Sequence, residues 1–176
     1  GRIQLRPMPS LSSPNVAVFT DTYLPTVNGV TYTLDTWQEH WNSSDATMHI
    51  VYPKSDHTPS VTEHPVESVS LPLYPEYRVS IPHIPSSLPD DLDIVHSHTG
   101  YPLGIAGLRY ARKHGLPFVA SYHTPIQEYM GYLSPPAPIK NLLAKGIEQY
   151  EQWFYNSSDH VIVPSDSTKD YLETEV

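Results

Sequence analysis

Three histidines lie at the ends of short apolar runs that have the composition of buried strands. His96 and His98 close the run that begins at Asp93, and His123 directly follows the run at 117–122. The β-branched and aromatic residues that recur in both runs are typical of strands. The connection between the runs is long enough for a helical crossover, so we expect two parallel strands in one sheet. Ligands of such sheets bind beyond the carboxyl ends of the strands, which is where the three imidazoles are predicted to lie.

These histidines suit two kinds of chemistry. His96 and His98 share one face of a strand by their spacing, and His123 could add a third ligand to a catalytic metal ion. A metal-dependent hydrolase built on the three side chains is therefore one interpretation. His123 alone, at the end of a parallel strand, is also suited to donate a hydrogen bond to a sugar hydroxyl or to stabilise charge as a glycosidic bond breaks. The structural alternative is a histidine that caps a turn.

A loop with one glycine follows the first predicted core strand at 16–20. Asn28 and Gly29 lead from this loop into a predicted helix that runs from about residue 30 to residue 41. Glycine lets a ligand approach the backbone, and the N–H groups of a first helical turn favour an anion. Gly29 is equally compatible with a simple turn between strand and helix. A dinucleotide fingerprint needs three glycines at fixed spacing, so NAD and FAD are not expected.

The elements that must position these residues alternate between strands and helices, which predicts an α/β fold with a Rossmann-like parallel sheet and helices on both faces. The first helix should present Leu34, Trp37 and Trp41 to the core. Further strands are predicted at 48–52 and 160–163, further helices at 101–113, 135–156 and after Ser165. The helix at 135–156 carries a stripe that we interpret as core-facing, formed by Ile139, Leu142, Leu143, Ile147, Tyr150, Trp153 and Phe154.

The segment 53–89 interrupts this alternation, because it holds eight of the 19 prolines. Proline at this density excludes long helices and leaves room only for short strands, which we predict at 66–71 and 77–81. The three histidines of the segment are interpreted as solvated loop residues without a function: His57, His64 and His83.

The length of the chain and its net charge limit the domain count and the classes of partner that the sequence allows. At 176 residues the chain predicts one domain at 16–176 behind a loose leader at 1–15. A formal net charge of −9 argues against nucleic acid as a partner. The apolar runs are too short to cross a membrane, and no export signal is visible, so a cytoplasmic location is expected. Cysteine is absent, which excludes disulfides and thiolate metal sites.

Four blocks in register resemble the N-terminal half of family 4 glycosyltransferases. They are Phe-Thr-Asp-Thr-Tyr-Leu-Pro-Thr-Val-Asn-Gly-Val at 19–30, Asp-Ile-Val-His-Ser-His-Thr at 93–99, Ser-Tyr-His-Thr at 121–124 and Val-Pro-Ser at 163–165. The family contains retaining enzymes of the two-domain GT-B architecture. Within it, the diacylglycerol glucosyltransferase and mannosyltransferase branches are the most similar to this chain.

The resemblance implies a role for each candidate residue. Asn28, Gly29 and Val30 would face the diphosphate of a nucleotide-sugar donor, and His123 would face the transferred sugar as the catalytic residue. Beside these roles, five residues are candidates to line the pocket of a lipid or glycan acceptor: Asp21, Tyr23, His98, Glu128 and Tyr129. The structural alternatives are a solvated carboxylate for the two acidic residues, a packing side chain for the two tyrosines and a core position for His98.

The resemblance also bears on cofactors, on a further domain and on membrane contact. Neither a metal nor a cofactor is expected. A C-terminal donor-binding domain is missing from these 176 residues, so the chain alone is expected to be inactive. Peripheral contact with the inner face of a membrane, through Lys140 and Lys145, is a further expectation. A non-catalytic module that binds a glycan or a lipid is the alternative to an enzyme.

Overall fold

Parallel strands form the centre of the molecule. The structure is a computed structural model, and it describes residues 14–26, 29–43, 45–72, 74–98, 102–122, 136–163 and 173. The strands are β1 Val16–Phe19, β2 Met48–Pro53, β3 Glu63–Val66, β4 Ser68–Leu71, β5 Tyr74–Ser80, β6 Ile94–Ser97, β7 Phe118–Ser121 and β8 His160–Ile162. The helices are α1 Gly29–Asn42, α2 Pro102–His114 and α3 Ala137–Asn156. The predicted leader lies almost wholly outside the described residues, as does the helix predicted after Ser165.

The six-stranded sheet has the order β3-β2-β1-β6-β7-β8, and every neighbouring pair is parallel. The chain builds outward from β1 to β3, then returns across β1 to continue through β6 on the other side. The order therefore reverses between β1 and β6. In doubly wound sheets, the crevice at such a reversal, beyond the carboxyl ends of the strands, is where ligands bind.

Helices cover both faces of the sheet, as the alternation of elements predicts. Val16 and Val18 of β1 point to the face where Leu34 of α1 is fully buried. Ala17 and Phe19 point to the opposite face, where they pack with α2 and with Phe154 of α3. Successive side chains of a strand alternate between faces, so one short apolar strand serves two cores. The predicted Rossmann-like architecture is confirmed.

The buried face of α1 contains more polar residues than the sequence predicts. Leu34 is buried as expected, and Trp37 and Trp41 are partly buried against the same cluster. Thr31 and Gln38 are also buried on this helix. These residues keep the three-and-four spacing of a core-facing stripe.

The interpretation of His64 as a solvated loop residue is wrong. His64 lies in β3, is only 2% exposed, and its Nε2 atom is 3.0 Å from Nδ1 of His49. Its Nδ1 atom is 2.8 Å from the hydroxyl of Ser87. Since the proline-rich segment adds a parallel strand to the sheet edge and then folds back over it, a polar residue that reads as loop is enclosed. His83, by contrast, is exposed.

The histidine pair makes stability depend on pH. Burial, together with the neighbouring His49, lowers the pKa of His64 from 6.5 to about 4, although Glu63 opposes the shift. Burial also lowers the pKa of His49, against the opposing influence of Asp91. Below pH 6.5 the unfolded chain therefore takes up protons that the folded chain refuses, so stability present at neutral pH is lost as the pH falls toward 4.

We predict that His64→Gln makes the free energy of unfolding less dependent on pH. Between pH 7.5 and pH 5, the free energy of unfolding of the parent chain should fall by about 2 kcal/mol more than that of the variant. Urea denaturation at both pH values measures the difference. His83→Gln, at an exposed position, is the matched control and should follow the parent. Parallel pH profiles for parent and His64→Gln would contradict the assignment.

The stripe predicted to be core-facing on α3 is buried only toward the end of the helix. Phe154 is fully buried and Tyr150 is partly buried against the core, whereas Ile139, Leu142 and Leu143 are 51%, 73% and 42% exposed. The prediction was therefore wrong for the first half of α3 and for Trp153, which is 46% exposed, because periodicity identifies an apolar face but not what covers it. Among the described helices, none combines the length and apolar character that a membrane crossing requires.

Candidate active site at the carboxyl edge of the sheet

Three adjacent strands deliver polar residues to one edge of the sheet. The loop at 20–26 follows β1, His98 follows β6 and Tyr122 follows β7, and these strands are neighbours in the order β1-β6-β7. The first turn of α1, with Gly29 and Val30, leaves the same edge because α1 follows the β1 loop. The remaining predicted site residues, Asn28, His123, Glu128 and Tyr129, lie outside the described residues, so their roles stay predictions.

Gly29 is the first residue of α1 and is exposed. A Cβ atom added to it would meet no atom of the described residues within 4 Å. Its carbonyl oxygen accepts a hydrogen bond from the Thr33 hydroxyl at 2.8 Å. The packing of α1 therefore does not require glycine at this position. An open backbone at a helix N-terminus is suited to bind an anion closely.

Asp21 joins the β1 loop to α2. Its Oδ1 atom accepts a hydrogen bond from the backbone N–H of Leu103 at 3.1 Å, in the first turn of α2. A carboxylate at this position satisfies a terminal N–H group and interacts favourably with the helix dipole. Asp21 thus has a structural role at the candidate site, and its predicted contact with an acceptor stays a prediction.

The buried side chain of Tyr23 fixes the same loop. Its side chain is only 4% exposed, and its hydroxyl lies 3.4 Å from both Gln38 Oε1 and Glu63 Oε1. The single hydroxyl proton can be donated to one of these oxygens at a time. Burial, followed by the nearby Glu63, raises the pKa of Tyr23 above its ordinary value, so the phenol stays protonated. The predicted acceptor contact of this residue also stays a prediction.

A polar network around Tyr23 was not predicted from the sequence. Gln38 Nε2 donates to the Thr62 hydroxyl at 2.9 Å, and His57 Nε2 lies 2.5 Å from Glu63 Oε2. His57 is therefore a partner in this network rather than an isolated loop residue. The only sequence signal was the position of Gln38, four residues after Leu34 on the buried face of α1.

A small pocket opens beside this loop. It is lined by residues of the 21–26 loop, by Pro53 at the end of β2 and Ser55 after it, and by Arg78 of β5. The Ser55 hydroxyl fixes the loop by donating to the carbonyl oxygen of Leu24 at 2.9 Å. Arg78 is held against β4 by hydrogen bonds to the hydroxyls of Ser68 and Ser70, at 2.7 and 3.0 Å. Arg78 was not singled out in the sequence, because its strand lies in the proline-rich segment.

His96 and His98 stack within the core at this edge. Their ring centroids are 4.4 Å apart, and both rings pack against Trp37 of α1, at 5.9 and 5.5 Å. Both are buried, and His96 Nε2 lies 2.7 Å from the Ser121 hydroxyl. Within the described part of the chain, no group of three or more metal-binding side chains is present. The hydrolase hypothesis needs His123 as a further ligand, and His123 lies outside that part.

The arrangement combines an open helix N-terminus, a pocket and a fixed loop at the switch point of a doubly wound sheet. The helix N-terminus can hold a phosphate-bearing ligand, and the loop can orient a second ligand beside it. Cationic side chains are scarce here, because Arg78 is the only Lys or Arg that lines the described pocket. Tight binding of a diphosphate therefore requires positive charge from elsewhere.

Comparison with known proteins agrees with this geometry. The chain is similar to two proteins named alpha-monoglucosyldiacylglycerol synthase. It is 25% identical to that of Streptococcus pneumoniae (strain ATCC BAA-255 / R6) over 164 residues, which cover 89% of this chain and 36% of the relative. It is 26% identical to that of Acholeplasma laidlawii over 149 residues, which cover 77% of this chain and 37% of the relative. The chain thus spans little more than a third of the length of these relatives.

The model of one protein family, Glycosyltransferase Family 4, matches residues 27–176. The match begins just before Gly29 and includes every strand from β2 onward. It therefore covers most of the chain, including the α1 N-terminus and the ends of β6 and β7. This chain belongs to glycosyltransferase family 4.

Proposed function

We propose that the chain is the acceptor-side half of a retaining glycosyltransferase, which transfers a sugar from a nucleotide-diphosphate sugar to a lipid or glycan acceptor. The open backbone at Gly29, at the switch point of the sheet, is the observation that supports this proposal most directly. Both relatives are named as synthases of a glucosylated diacylglycerol. A glucosyl group and a diacylglycerol are therefore the proposed donor sugar and acceptor.

The donor diphosphate is proposed to lie against the first turn of α1. Backbone N–H groups there supply hydrogen bonds, and the helix dipole favours the negative charge. A chain with a net charge of −9 offers few cations to complete the site. We therefore propose that a C-terminal donor-binding domain contributes them across a cleft, and that this chain alone binds ligands without turnover.

In this proposal the chain acts mainly by alignment. Asp21 and Tyr23 fix the loop between β1 and α1, so the acceptor meets a preorganised surface. His123 donates a hydrogen bond to the transferred sugar or stabilises charge as the glycosidic bond breaks. The leaving phosphate is proposed to take the proton of the acceptor hydroxyl, as the family resemblance implies.

Peripheral contact with the cytoplasmic face of a membrane is also part of the proposal. The exposed side chains of Ile139, Leu142 and Leu143 on α3 form an apolar surface. Lys140 and Lys145 flank this surface, are exposed and can interact with anionic lipid head groups. A lipid acceptor would be presented at such a surface.

Gly29→Ala tests the donor site. In a protein that joins this chain to a donor-binding domain, the substitution should raise the KM for the nucleotide sugar about tenfold or more. The added methyl group occupies the space where the diphosphate approaches the backbone. Because it meets no described atom within 4 Å, the free energy of unfolding should change by no more than about 1 kcal/mol. Initial rates at varied donor concentration and a urea denaturation curve measure the two effects.

Gly146→Ala on α3 is the control for this experiment. An added Cβ there also meets no described atom within 4 Å, but the position is on another helix. Donor KM should be unchanged in this variant. If Gly29→Ala retains the parent KM, the diphosphate does not lie against the first turn of α1, and the proposed donor site is wrong.

A further inference from the structure

A second concave surface lies on α2, outside the candidate active site. It is a cavity of about 240 Å³ between the segment 82–84 and the second half of α2. Ala106 and Tyr110 line the cavity and are buried. The cationic side chains of Arg109 and Lys113 line it as well. Since α2 starts at the carboxyl edge of the sheet and runs back from it, this cavity is separate from the pocket beside the β1 loop.

The cavity gathers positive charge in an acidic chain. Arg109 and Lys113 line it, and Arg112 lies between them on the same helix. In the part of the chain that the structure describes, the contacts between a basic side chain and a carboxylate within 4 Å are Lys54–Glu67 and His57–Glu63, and neither involves Arg109, Arg112 or Lys113. The whole sequence contains only ten Lys and Arg residues against 19 Asp and Glu. Two of these ten side chains thus line one cavity, where Asp90, which lies near Tyr110, is the nearby carboxylate that the structure indicates.

The helix dipole accounts for part of this cluster but not for the cavity. Basic residues in the last turn of a helix interact favourably with its C-terminus, which covers Arg112, Lys113 and His114. Arg109 lies one turn earlier, and His83 comes from a different segment that the dipole does not place there. Two elements therefore bring cationic or protonatable side chains to one concavity.

Imidazole and phenol rings form another part of the cavity wall. The His114 ring lies 4.2 Å from the Tyr110 ring, and His83 Nδ1 is held 3.1 Å from the carbonyl oxygen of Ile81. Burial, followed by the nearby Asp90, raises the pKa of Tyr110, so its hydroxyl remains a proton donor. The apolar side of the cavity is formed by Ile84 and Ala106.

We propose that this cavity binds the phosphate group of a phosphate ester, held by Arg109 and Lys113. The guanidinium fork matches phosphate oxygens in a bidentate way, and an ammonium group adds a second positive charge. The cavity is larger than a bare phosphate, so Ile84 and Ala106 can pack against the organic part of the ester. The site is distinct from the proposed donor site and does not depend on it.

The same chemistry is found in a soluble glycerol phosphate and in the head group of a glycerophospholipid. Calorimetric titration of the chain with glycerol 1-phosphate tests the first source. Sedimentation with vesicles of phosphatidylglycerol, compared with vesicles of phosphatidylcholine, tests the second. Binding in either experiment that depends on Arg109 and Lys113 supports the site, and the experiment that shows it identifies the source.

Arg109→Gln with Lys113→Gln should weaken binding about tenfold or more, because two charge-assisted interactions are lost. Arg112→Gln is the matched control, since Arg112 is exposed on the same helix but does not line the cavity. It should weaken binding less than about twofold, through reduced long-range attraction alone. Circular dichroism establishes folding, and Lys113→Gln alone replaces the double variant if the latter does not fold.

The proposal is overturned by two results. One is that neither glycerol 1-phosphate nor phosphatidylglycerol vesicles bind to the chain. The other is that Arg112→Gln reduces binding as much as the double variant does, or as much as Lys113→Gln where that replaces it. This would mean that the anion responds to the charge of α2 as a whole and not to the cavity.

Discussion

Replacing His123 with alanine is expected to lower kcat about 100-fold or more in a protein that joins this chain to a donor-binding domain. The reason is its place in the chain. Sheet pairing extends to the residue before it, since the backbone N–H of Tyr122 donates to the carbonyl oxygen of Ile162 at 2.9 Å. In the sequence, His123 is two residues beyond Ser121, the last residue of β7, so we expect it to lie beyond the carboxyl end of that strand. An imidazole at this edge can stabilise charge that develops only in the transition state.

The measurement must separate catalysis from folding. Initial rates with a nucleotide sugar and diacylglycerol give kcat and KM, and urea denaturation gives the free energy of unfolding. His40→Ala is the control, because His40 is exposed on α1 and should leave both quantities near those of the parent. If the loss of turnover in His123→Ala is matched by the fraction of unfolded protein, His123 has a structural role and the catalytic assignment is wrong.

Much of the fold could be predicted because its central strands are buried on both faces. Such strands appear as short continuous apolar runs, so β1, β2, β6 and β7 lie within one or two residues of their predicted positions. The crossover helices α1 and α2 were likewise placed within a residue of their observed ends. Their lengths between parallel strands leave little choice of topology.

The edge of the sheet could not be predicted in the same way. β3 has the sequence Glu-His-Pro-Val, in which proline and charge argue against a strand. His64 is buried by contacts with His49 and Ser87, which are 15 and 23 residues away. No local pattern reports partners at such separations. The prediction that the first half of α3 is buried was wrong for a related reason, because an apolar stripe does not reveal whether another element covers it.

The candidate site likewise has a part that the sequence predicts and a part that it does not. The gathering of Asp21, His98 and Gly29 at one edge follows from strand order alone, since the ends of parallel strands meet there. The network beneath Tyr23 does not follow from it. Its polar atoms come from the β1 loop, α1 and β3 at once, and side-chain hydrogen bonds between distant elements have no periodic signature.

Gly107→Ala is expected to destabilise the chain by about 2–3 kcal/mol, although alanine is normally the better helix former. The added Cβ atom would lie 2.7 Å from the Ser97 hydroxyl oxygen and 2.9 Å from Cγ of Phe19. Neither neighbour can easily give way. Ser97 donates a hydrogen bond to the carbonyl oxygen of Gly104 at 3.1 Å, and Phe19 is fully buried. The helix must therefore move away from β1 and β6, which loosens the core on that face.

Gly146→Ala on α3 provides the opposite case within the same chain. Its added Cβ meets no described atom within 4 Å, so lower backbone entropy in the unfolded state should stabilise the chain by roughly 0.5–1 kcal/mol. Urea denaturation of both variants measures the contrast. Equal stability of the two would show that α2 does not pack as closely on β1 and β6 as the glycine requires. Since Leu103 of the same helix donates to Asp21, such a result would also weaken the case that α2 fixes the loop at the candidate active site.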